Sequence, residues 1–326
     1  MTCPVTHRPG GTESAEAGVS TAPTVSAPSD SADVADRFER VAGSVFVGLF
    51  AAGVFDQAML PPVSAALEDT GRIRDALWDR ALRTAASDQI VFHGREADRR
   101  AEMERLVQLH RDVKGVGENG VRYSALNPES WNWILISTFF VYRSAFVAVS
   151  GEELSATANQ AIWDRFRQLT EGLQLAGSSR LIDDYEQLRT YYERMVAEKL
   201  EVTSTLECAV RYTLRPSRPD FLPALVAPVW NLTGPMVGHI LVVLGVGIMH
   251  PGVRAKVPMK WTRRHDREFA VLTTAIRLAY HWLPTRLTDT PLARNGREYQ
   301  RLMERYRGIG LTTFAPNSLR RASGGI

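Results

Sequence analysis

Helical periodicity runs through most of this 326-residue chain and constrains its fold more than any other feature. Apolar residues recur at three- and four-residue intervals, which is the pattern of an α-helix that buries one face. The pattern covers residues 36–55, 73–86, 95–114, 128–149, 155–175, 179–199, 219–246 and 266–283. Alternating patterns are scarce, and only residues 89–92 and 121–124 are candidates for a small paired hairpin. We therefore predict an all-α fold with at most one short hairpin.

The N-terminal end differs in composition from the rest of the chain. Residues 1–34 are mostly Ser, Thr, Ala, Pro and Gly, with few large apolar side chains. Such a segment cannot offset the entropy that it would lose on ordering. No similar linker follows, so we predict a disordered tail at 1–34 and a single large helical domain at 35–326.

Charge and cysteine content exclude several classes of protein. The chain has 39 basic and 36 acidic residues and a net charge of +3, so it offers no strong field for nucleic acid. Cys3 and Cys208 are the only cysteines, which excludes a disulfide framework and fits a reducing compartment. The chain also begins without the basic and apolar regions of a signal peptide. We therefore expect a cytoplasmic protein.

Three apolar stretches, residues 41–55, 131–149 and 235–249, raise the question of a membrane span. The first and third are shorter than the roughly 20 residues that a spanning helix needs. The second contains Asn132 and Arg143. We therefore interpret all three as buried helices of a large domain and predict no transmembrane segment.

One succession of residues carries most of the functional information. Arg80, Arg83 and Thr84 are spaced i, i+3 and i+4, which in a helix puts two guanidiniums and a hydroxyl on one face. His110 follows on the apolar stripe of the next predicted helix. An inward histidine near arginines suits an anionic, metal-bearing cofactor such as haem, because imidazole can ligate the iron and arginines can neutralise the propionates.

Each of these residues also has a more ordinary interpretation. A histidine on an apolar helix face is commonly a part-buried packing residue. Arginines at i and i+3 commonly form a solvated face paired with acids, here Asp79 or Asp88. His93 is a second candidate ligand, and His239 lies where a cofactor might be approached, although packing is the more usual role for both.

Other cofactor chemistry finds little support in the sequence. Residues 115–120 match Gly-x-Gly-x-x-Gly, but they follow a predicted helix and no βαβ unit surrounds them, so we reject a dinucleotide site. Glu-x-x-His, His-Glu-x-x-His, Cys-x-x-Cys, Walker A and Gly-x-Ser-x-Gly motifs are absent from the sequence. Haem is the redox cofactor that the residues still support.

The Arg80-x-x-Arg83-Thr84 element, His110 with its Val-x-Gly tail ending at Gly115, and Tyr123-x-Ala resemble the rubber oxygenase (latex clearing protein) and mycophenolic-acid-pathway B family. A weaker likeness extends over about residues 41–294. The resemblance implies a helical domain around haem b, with His110 as the proximal iron ligand. It also implies that Arg80, Arg83 and Thr84 lie on the distal side or near the propionates.

The functional expectation is a haem-dependent oxidase or oxygenase that acts with O2 on a small hydrophobic metabolite, in a natural-product (secondary-metabolism) or isoprenoid-type pathway. Arg80, Arg83 and Thr84 would be the catalytic donors that stabilise negative charge on oxygen. The rubber-cleaving members have Lys at the position of Arg83, which argues against polyisoprene. Oxidative C=C cleavage, dehydrogenation and hydroxylation stay open. The alternatives are a helical hydrophobic-ligand-binding protein without redox turnover and a non-catalytic haem protein.

Overall fold

The computed structural model describes residues 28–71, 77–118 and 120–308, and helices make up most of them. The α-helices are α1 (Pro28–Ala42), α2 (Pro61–Asp69), α3 (Leu77–His93), α4 (Glu96–Arg111), α5 (Pro128–Ser150), α6 (Ala156–Leu169), α7 (Tyr185–Glu198), α8 (Ser204–Leu214), α9 (Ala227–Gly247), α10 (Pro251–Arg254), α11 (Arg263–Trp282), α12 (Thr285–Thr288) and α13 (Pro291–Gly308). The 3₁₀ helices span Val47–Met59, Glu171–Leu173, Gly177–Ser179 and Ala224–Val226. Strands β1 (Lys114–Val116) and β2 (Arg122–Ser124) pair antiparallel. The all-α prediction with one short hairpin is confirmed.

Helix α5 forms the centre of the core because its sequence is apolar on nearly every face. Asn127 caps its start by accepting hydrogen bonds from two backbone N–H groups, and Pro128 occupies the first turn. Gly151 ends it in the left-handed conformation, with φ of 78°. Trp133 and Phe146 on this helix are completely buried. The helix packs on α1, α6, α11 and the long 3₁₀ segment.

Two sequence predictions fail around the first helices. Residues 89–92 are helical, because Val91 and Phe92 are buried along α3, and the strand that pairs with β2 is β1. Residues 36–55 do not form one helix. Instead α1 ends at Ala42, and the next residues form a bridge between Ser44 and Asp289 before the 3₁₀ segment starts.

The predicted tail also differs from what the structure shows. Helix α1 begins at Pro28 and so includes the last part of the segment 1–34. Val34 in this part is buried against the core, which explains why the helix extends beyond the predicted boundary. Residues 1–27 lie outside the described residues.

Among the described residues, two helical stretches are long and apolar enough, by length and composition, to cross a membrane: Pro128–Ser150 and Ala224–Gly247. The first is the core helix α5, with 61% of its apolar window buried inside the domain. The second has 39% of its window buried, and it is longer than the 15-residue stretch that the sequence suggested, because helical structure starts at Ala224. Burial inside the domain explains the apolar composition of α5, and it explains only part of the apolar composition of the second stretch.

Candidate cofactor site at the open end of a helical hairpin

Helices α3 and α4 form an antiparallel hairpin that turns at Gly94. Near the turn, the Arg99 Nε donates to the carbonyl of Val91 over 2.7 Å. Farther along, the Ser87 hydroxyl donates to Glu102 Oε1 over 2.5 Å. Glu102 also accepts two bonds from the neighbouring Arg105, which lowers the pKa of this carboxyl. These contacts fix how the two helices are aligned.

The alignment brings the predicted functional residues to one end of the hairpin. Arg80 lies seven residues before Ser87, and His110 lies eight residues after Glu102. At about 1.5 Å per residue, both residues are roughly 10–12 Å beyond the Ser87–Glu102 bond. We call this region the open end, because Leu82 and Leu109 there remain 52% and 45% exposed.

His110 is held in one tautomer and one orientation. Its Nδ1 lies 2.7 Å from the carbonyl oxygen of Leu106, and a carbonyl can only accept, so Nδ1 carries the proton. The imidazole packs against the ring of Trp131 in a T-shaped arrangement, with ring centroids 5.5 Å apart. Trp131 is itself fixed by a 2.6 Å bond from its Nε1 to the carbonyl of Leu173. The remaining atom, His110 Nε2, therefore keeps the lone pair that a metal ligand needs.

The three predicted distal residues sit on α3 with different surroundings. Arg83 is 79% exposed and pairs through Nε with Asp79 over 2.8 Å. Thr84 is exposed, and Arg80 is half-buried with interactions of its own. Arg83 thus adopts the solvated, acid-paired arrangement that was the ordinary alternative. The structure brings the four residues to the same end of the hairpin, and no bond links Arg83 or Thr84 to His110 in the described part of the chain.

The Val-x-Gly and Tyr-x-Ala elements form the β-hairpin that directly follows α4. Gly115 pairs with Tyr123, and a Cβ at Gly115 would lie 2.8 Å from the tyrosine hydroxyl oxygen. That hydroxyl donates to the carboxylate of Asp69 at the end of α2. Glycine is therefore required where the aromatic side chain crosses, and the hairpin ties the His110 end of α4 to α2.

His93 lies at the opposite, closed end of the hairpin. From Glu96 to His110 the rise of α4 is about 21 Å, so His93 is far from His110. Burial lowers the pKa of His93 to about 4, with Arg297 and Arg99 adding to the effect. His239 lies on α9, and its Nε2 is 2.8 Å from Glu268 on α11. The structure therefore separates His93 from the open end and engages the Nε2 of His239 with a carboxylate.

A cavity that sequence analysis did not anticipate lies between the long 3₁₀ segment, α5 and α7. Its volume is about 320 Å³. Asp56 lines it and accepts hydrogen bonds from Ser137 over 2.6 Å and Tyr192 over 3.0 Å, and burial raises its pKa to about 6. Arg143 of α5 lines it as well. The sequence feature that could have indicated this cavity is Arg143, a charged residue inside an otherwise apolar helix. In the sequence analysis Arg143 served only as an argument against a membrane span.

A metal ion that is not part of haem is usually held by a cluster of several side chains. Within residues 28–71, 77–118 and 120–308, no group of three or more His, Cys, Asp or Glu side chains is placed to hold a metal ion. Haem would need only one ligand from the protein, because the porphyrin nitrogens would supply most of the iron's donors. The lack of such a cluster among these residues therefore concerns metal ions that side chains alone would hold, and it does not concern haem.

The fold and the hairpin define a helical protein with a single, fixed histidine at the exposed end of two antiparallel helices. A family profile described as ER-bound oxygenase mpaB/B'/rubber oxygenase, catalytic domain, matches residues 37–278. The chain belongs to this family of oxygenases, and the predicted resemblance is confirmed. The match covers the core helices and every residue of the candidate site.

Two mycobacterial proteins are similar to this chain over most of its length. Both are described as uncharacterized, one from Mycobacterium bovis and one from Mycobacterium tuberculosis. Each is 25% identical over 241 residues, which cover 72% of this chain and 89% of the relative. No solved structure matches this chain.

Proposed function

We propose that this oxygenase-family protein binds haem b at the open end of the hairpin and acts with O2 on a small hydrophobic substrate. His110 would hold the iron through Nε2, and Arg80 and Arg83 would face the propionates or the reacting oxygen. When bound, haem supplies the redox chemistry that couples O2 to substrate oxidation. A pathway of secondary metabolism fits this chemistry and is part of the proposal.

The observation that carries the proposal is the bond between His110 Nδ1 and the carbonyl of Leu106. Ligating histidines characteristically donate their second ring N–H to a carbonyl or carboxylate, which sets the tautomer and makes the other nitrogen a better donor. At His110 this bond is local, spanning one helical turn, so it does not depend on a bound group. The same bond would orient Nε2 toward a metal without help from a bound group.

The surroundings of His110 fit the rest of a haem as well. Leu82 and Leu109 offer exposed apolar surface at the same level, which suits a flat porphyrin. Arg83 would have to leave Asp79, and a surface pair of this kind contributes only about 0–1 kcal/mol. Its guanidinium can then donate to carboxylates, which favours propionate pairing at little cost.

The same residues can take part in the reaction through hydrogen bonds alone. Guanidinium has no accessible lone pair, because its pKa exceeds about 12, so Arg83 cannot ligate iron. Arg83 and Thr84 can donate protons in hydrogen bonds to an oxygen atom that becomes negative. These two residues would position and stabilise charge, while His110 holds the metal.

Haem content tests the proposal. Protein purified from cells supplied with a haem precursor should contain about one haem b per chain in a pyridine haemochrome assay. His110→Ala should lose nearly all of it. His281→Ala, which changes an exposed histidine on α11, should keep it. A wild-type protein without haem, or equal haem in the His110 and His281 variants, would exclude the proposed site.

A further inference from the structure

Arg143 has an unusual position in the core helix α5. Apart from Glu129 in the first turn, it is the only charged residue of that helix. Its Nε donates to Asn159 over 2.7 Å, and its guanidinium lies 5.8 Å from the ring centre of Tyr185. Both partners are neutral. In the described part of the chain, no carboxylate lies within salt-bridge distance of Arg143.

Arg143 is half-buried, and a partly buried charge without a counter-ion gains from neutral acceptors. Asn159 accepts from its Nε, Tyr185 also interacts with the guanidinium, and the remaining N–H donors can serve another acceptor. Two adjacent cavities share this side chain. The first is the cavity that Asp56 lines, and the second, of about 300 Å³, lies between α5 and α11.

The second cavity contains a second arginine. Arg277 of α11 is exposed and also lines this cavity, and among the residues that the structure describes no ion pair joins it to a carboxylate. The Ser144 hydroxyl adds a polar group next to Arg143. Most of the remaining wall is apolar and comprises Val147, Ala148, Ile248 and Phe269. Two cations therefore face a space that is otherwise largely hydrophobic.

We propose that this second cavity binds a small monocarboxylate with an apolar body, whose head lies between Arg143 and Arg277. Guanidiniums bind carboxylates through paired N–H···O bonds, which gives such a head strong, directed contacts. The apolar body would cover Val147 and Phe269. A cavity of about 300 Å³ is at the small end of ligand pockets, which favours a compact chain such as octanoate.

The site is separate from the proposed haem site and does not depend on it. Trp131, which contacts His110, lies twelve residues before Arg143 on the same helix. That spacing corresponds to roughly 18 Å along the helix axis. The carboxylate site would therefore serve as a second ligand site, for a small effector.

A structural role for Arg277 is the main rival. Its guanidinium lies beside Gly151, which caps the C-terminal end of α5, and a cation there is favourable for the helix dipole. In that case removing Arg277 would lower stability and leave carboxylate binding unchanged. Binding and stability measurements on one variant therefore separate the two roles.

Isothermal titration of the full-length protein with sodium octanoate tests the inference, with 1-octanol as the uncharged probe. We expect saturable octanoate binding and at least about tenfold weaker binding to Arg277→Ala, since a lost charge-assisted bond corresponds to that factor or more. Arg267→Ala, which removes another exposed arginine of α11 outside the cavity, should bind like wild type. Arg143→Lys keeps the charge but loses the paired donors and should also bind more weakly.

Three results would overturn the inference. The first is no saturable binding of octanoate to folded wild-type protein at millimolar concentration. The second is equal affinity in the Arg277→Ala and Arg267→Ala proteins, which would leave Arg277 as a helix-capping residue. The third is octanol binding as tightly as octanoate, which would mean that the arginines do not recognise the head group.

Discussion

His93 and His110 lie at opposite ends of one helical hairpin, and their surroundings differ in kind. His93 and His110 are both half-buried. The Nε2 of His93 is nevertheless buried and without a hydrogen-bond partner in the described residues, and burial lowers the pKa of His93 to about 4. The orientation of His110 comes from a local bond to Leu106 and from packing against Trp131. One end therefore fixes a histidine by packing, and the other fixes it by directed contacts.

The two ends of the hairpin therefore have different roles, one in the stability of the fold and the other in cofactor binding. A residue enclosed by packing contributes to the free energy of folding, and it has no room for a ligand. A residue oriented by hydrogen bonding on a partly open surface contributes less to folding but can accept a metal or substrate. We expect substitutions at the closed end to change stability and substitutions at the open end to change cofactor binding and activity.

The largest effect on stability is expected for Gly43→Ala at the closed end. A Cβ there would lie 2.5 Å from His93 Nε2 and 2.7 Å from the Cβ of Ala293. Overpacking of this kind costs about 1–3 kcal/mol, and we expect the upper part of that range in urea unfolding. Gly48→Ala is the control, because a Cβ at Gly48 has open space. Haem per folded chain should stay unchanged, and its loss would contradict the separation of the two ends.

The second effect is a pH dependence contributed by His93. Since its folded pKa is lowered to about 4 from 6.5, the stability that it contributes is present above about pH 6.5 and is lost as the pH falls through about 4. This amounts to roughly 3 kcal/mol. Acidification should therefore destabilise wild type relative to His93→Gln by up to that amount.

Urea unfolding at about pH 7.5 and about pH 4.5 measures this difference within the His93 window. Asp56 and Asp88 act in the opposite direction, because burial raises the pKa of each carboxyl to about 6 and their stabilisation is lost as the pH rises. Both remain in the variant, so their contributions cancel. A pH-independent difference between wild type and His93→Gln would show that His93 is not held neutral.

The smallest effect on stability is expected for Arg83→Ala at the open end. The pair with Asp79 is exposed, so its loss should change the free energy of unfolding by less than about 0.5 kcal/mol. Oxygen uptake with substrate should nevertheless fall about tenfold or more if Arg83 stabilises charge in the reaction. Arg100→Ala removes a comparable exposed i,i+4 pair with Glu96 on α4 and should leave both quantities unchanged.

Sequence periodicity predicted the long helices because local signals mark their ends. Helix α5 begins at Pro128 after the Asn127 cap and ends at Gly151, and each of these residues acts within a few positions along the chain. Most of the 3₁₀ segment Val47–Met59 lies in the helix that the sequence predicted over 36–55, because apolar spacing does not distinguish the two helix types and tertiary contacts decide the geometry. The partner of β2 was also mispredicted, since the β-like run at 89–92 is equally compatible with a buried helix face.

Only those features of the candidate site that depend on local sequence could be predicted. Spacing within single helices made His110 and the arginines on α3 candidates, and the family resemblance favoured their functional interpretation over the ordinary one. The alignment that puts them at one end depends on the Ser87–Glu102 bond between helices, which no local pattern specifies. Arg277 and Arg143 line one cavity because α11 packs on α5, and no local sequence pattern predicts that packing.

The claim that His110 is the metal-binding residue has one direct test. His110→Gly removes the imidazole and leaves space in which free imidazole can bind. Absorption spectra of the purified variant, supplied with haem, should show little bound haem without imidazole and recovery of the wild-type spectrum when millimolar imidazole is added. His281→Gly should retain haem throughout. If His110→Gly binds haem as wild type does, or if imidazole restores nothing, the iron ligand is not at the open end of the hairpin.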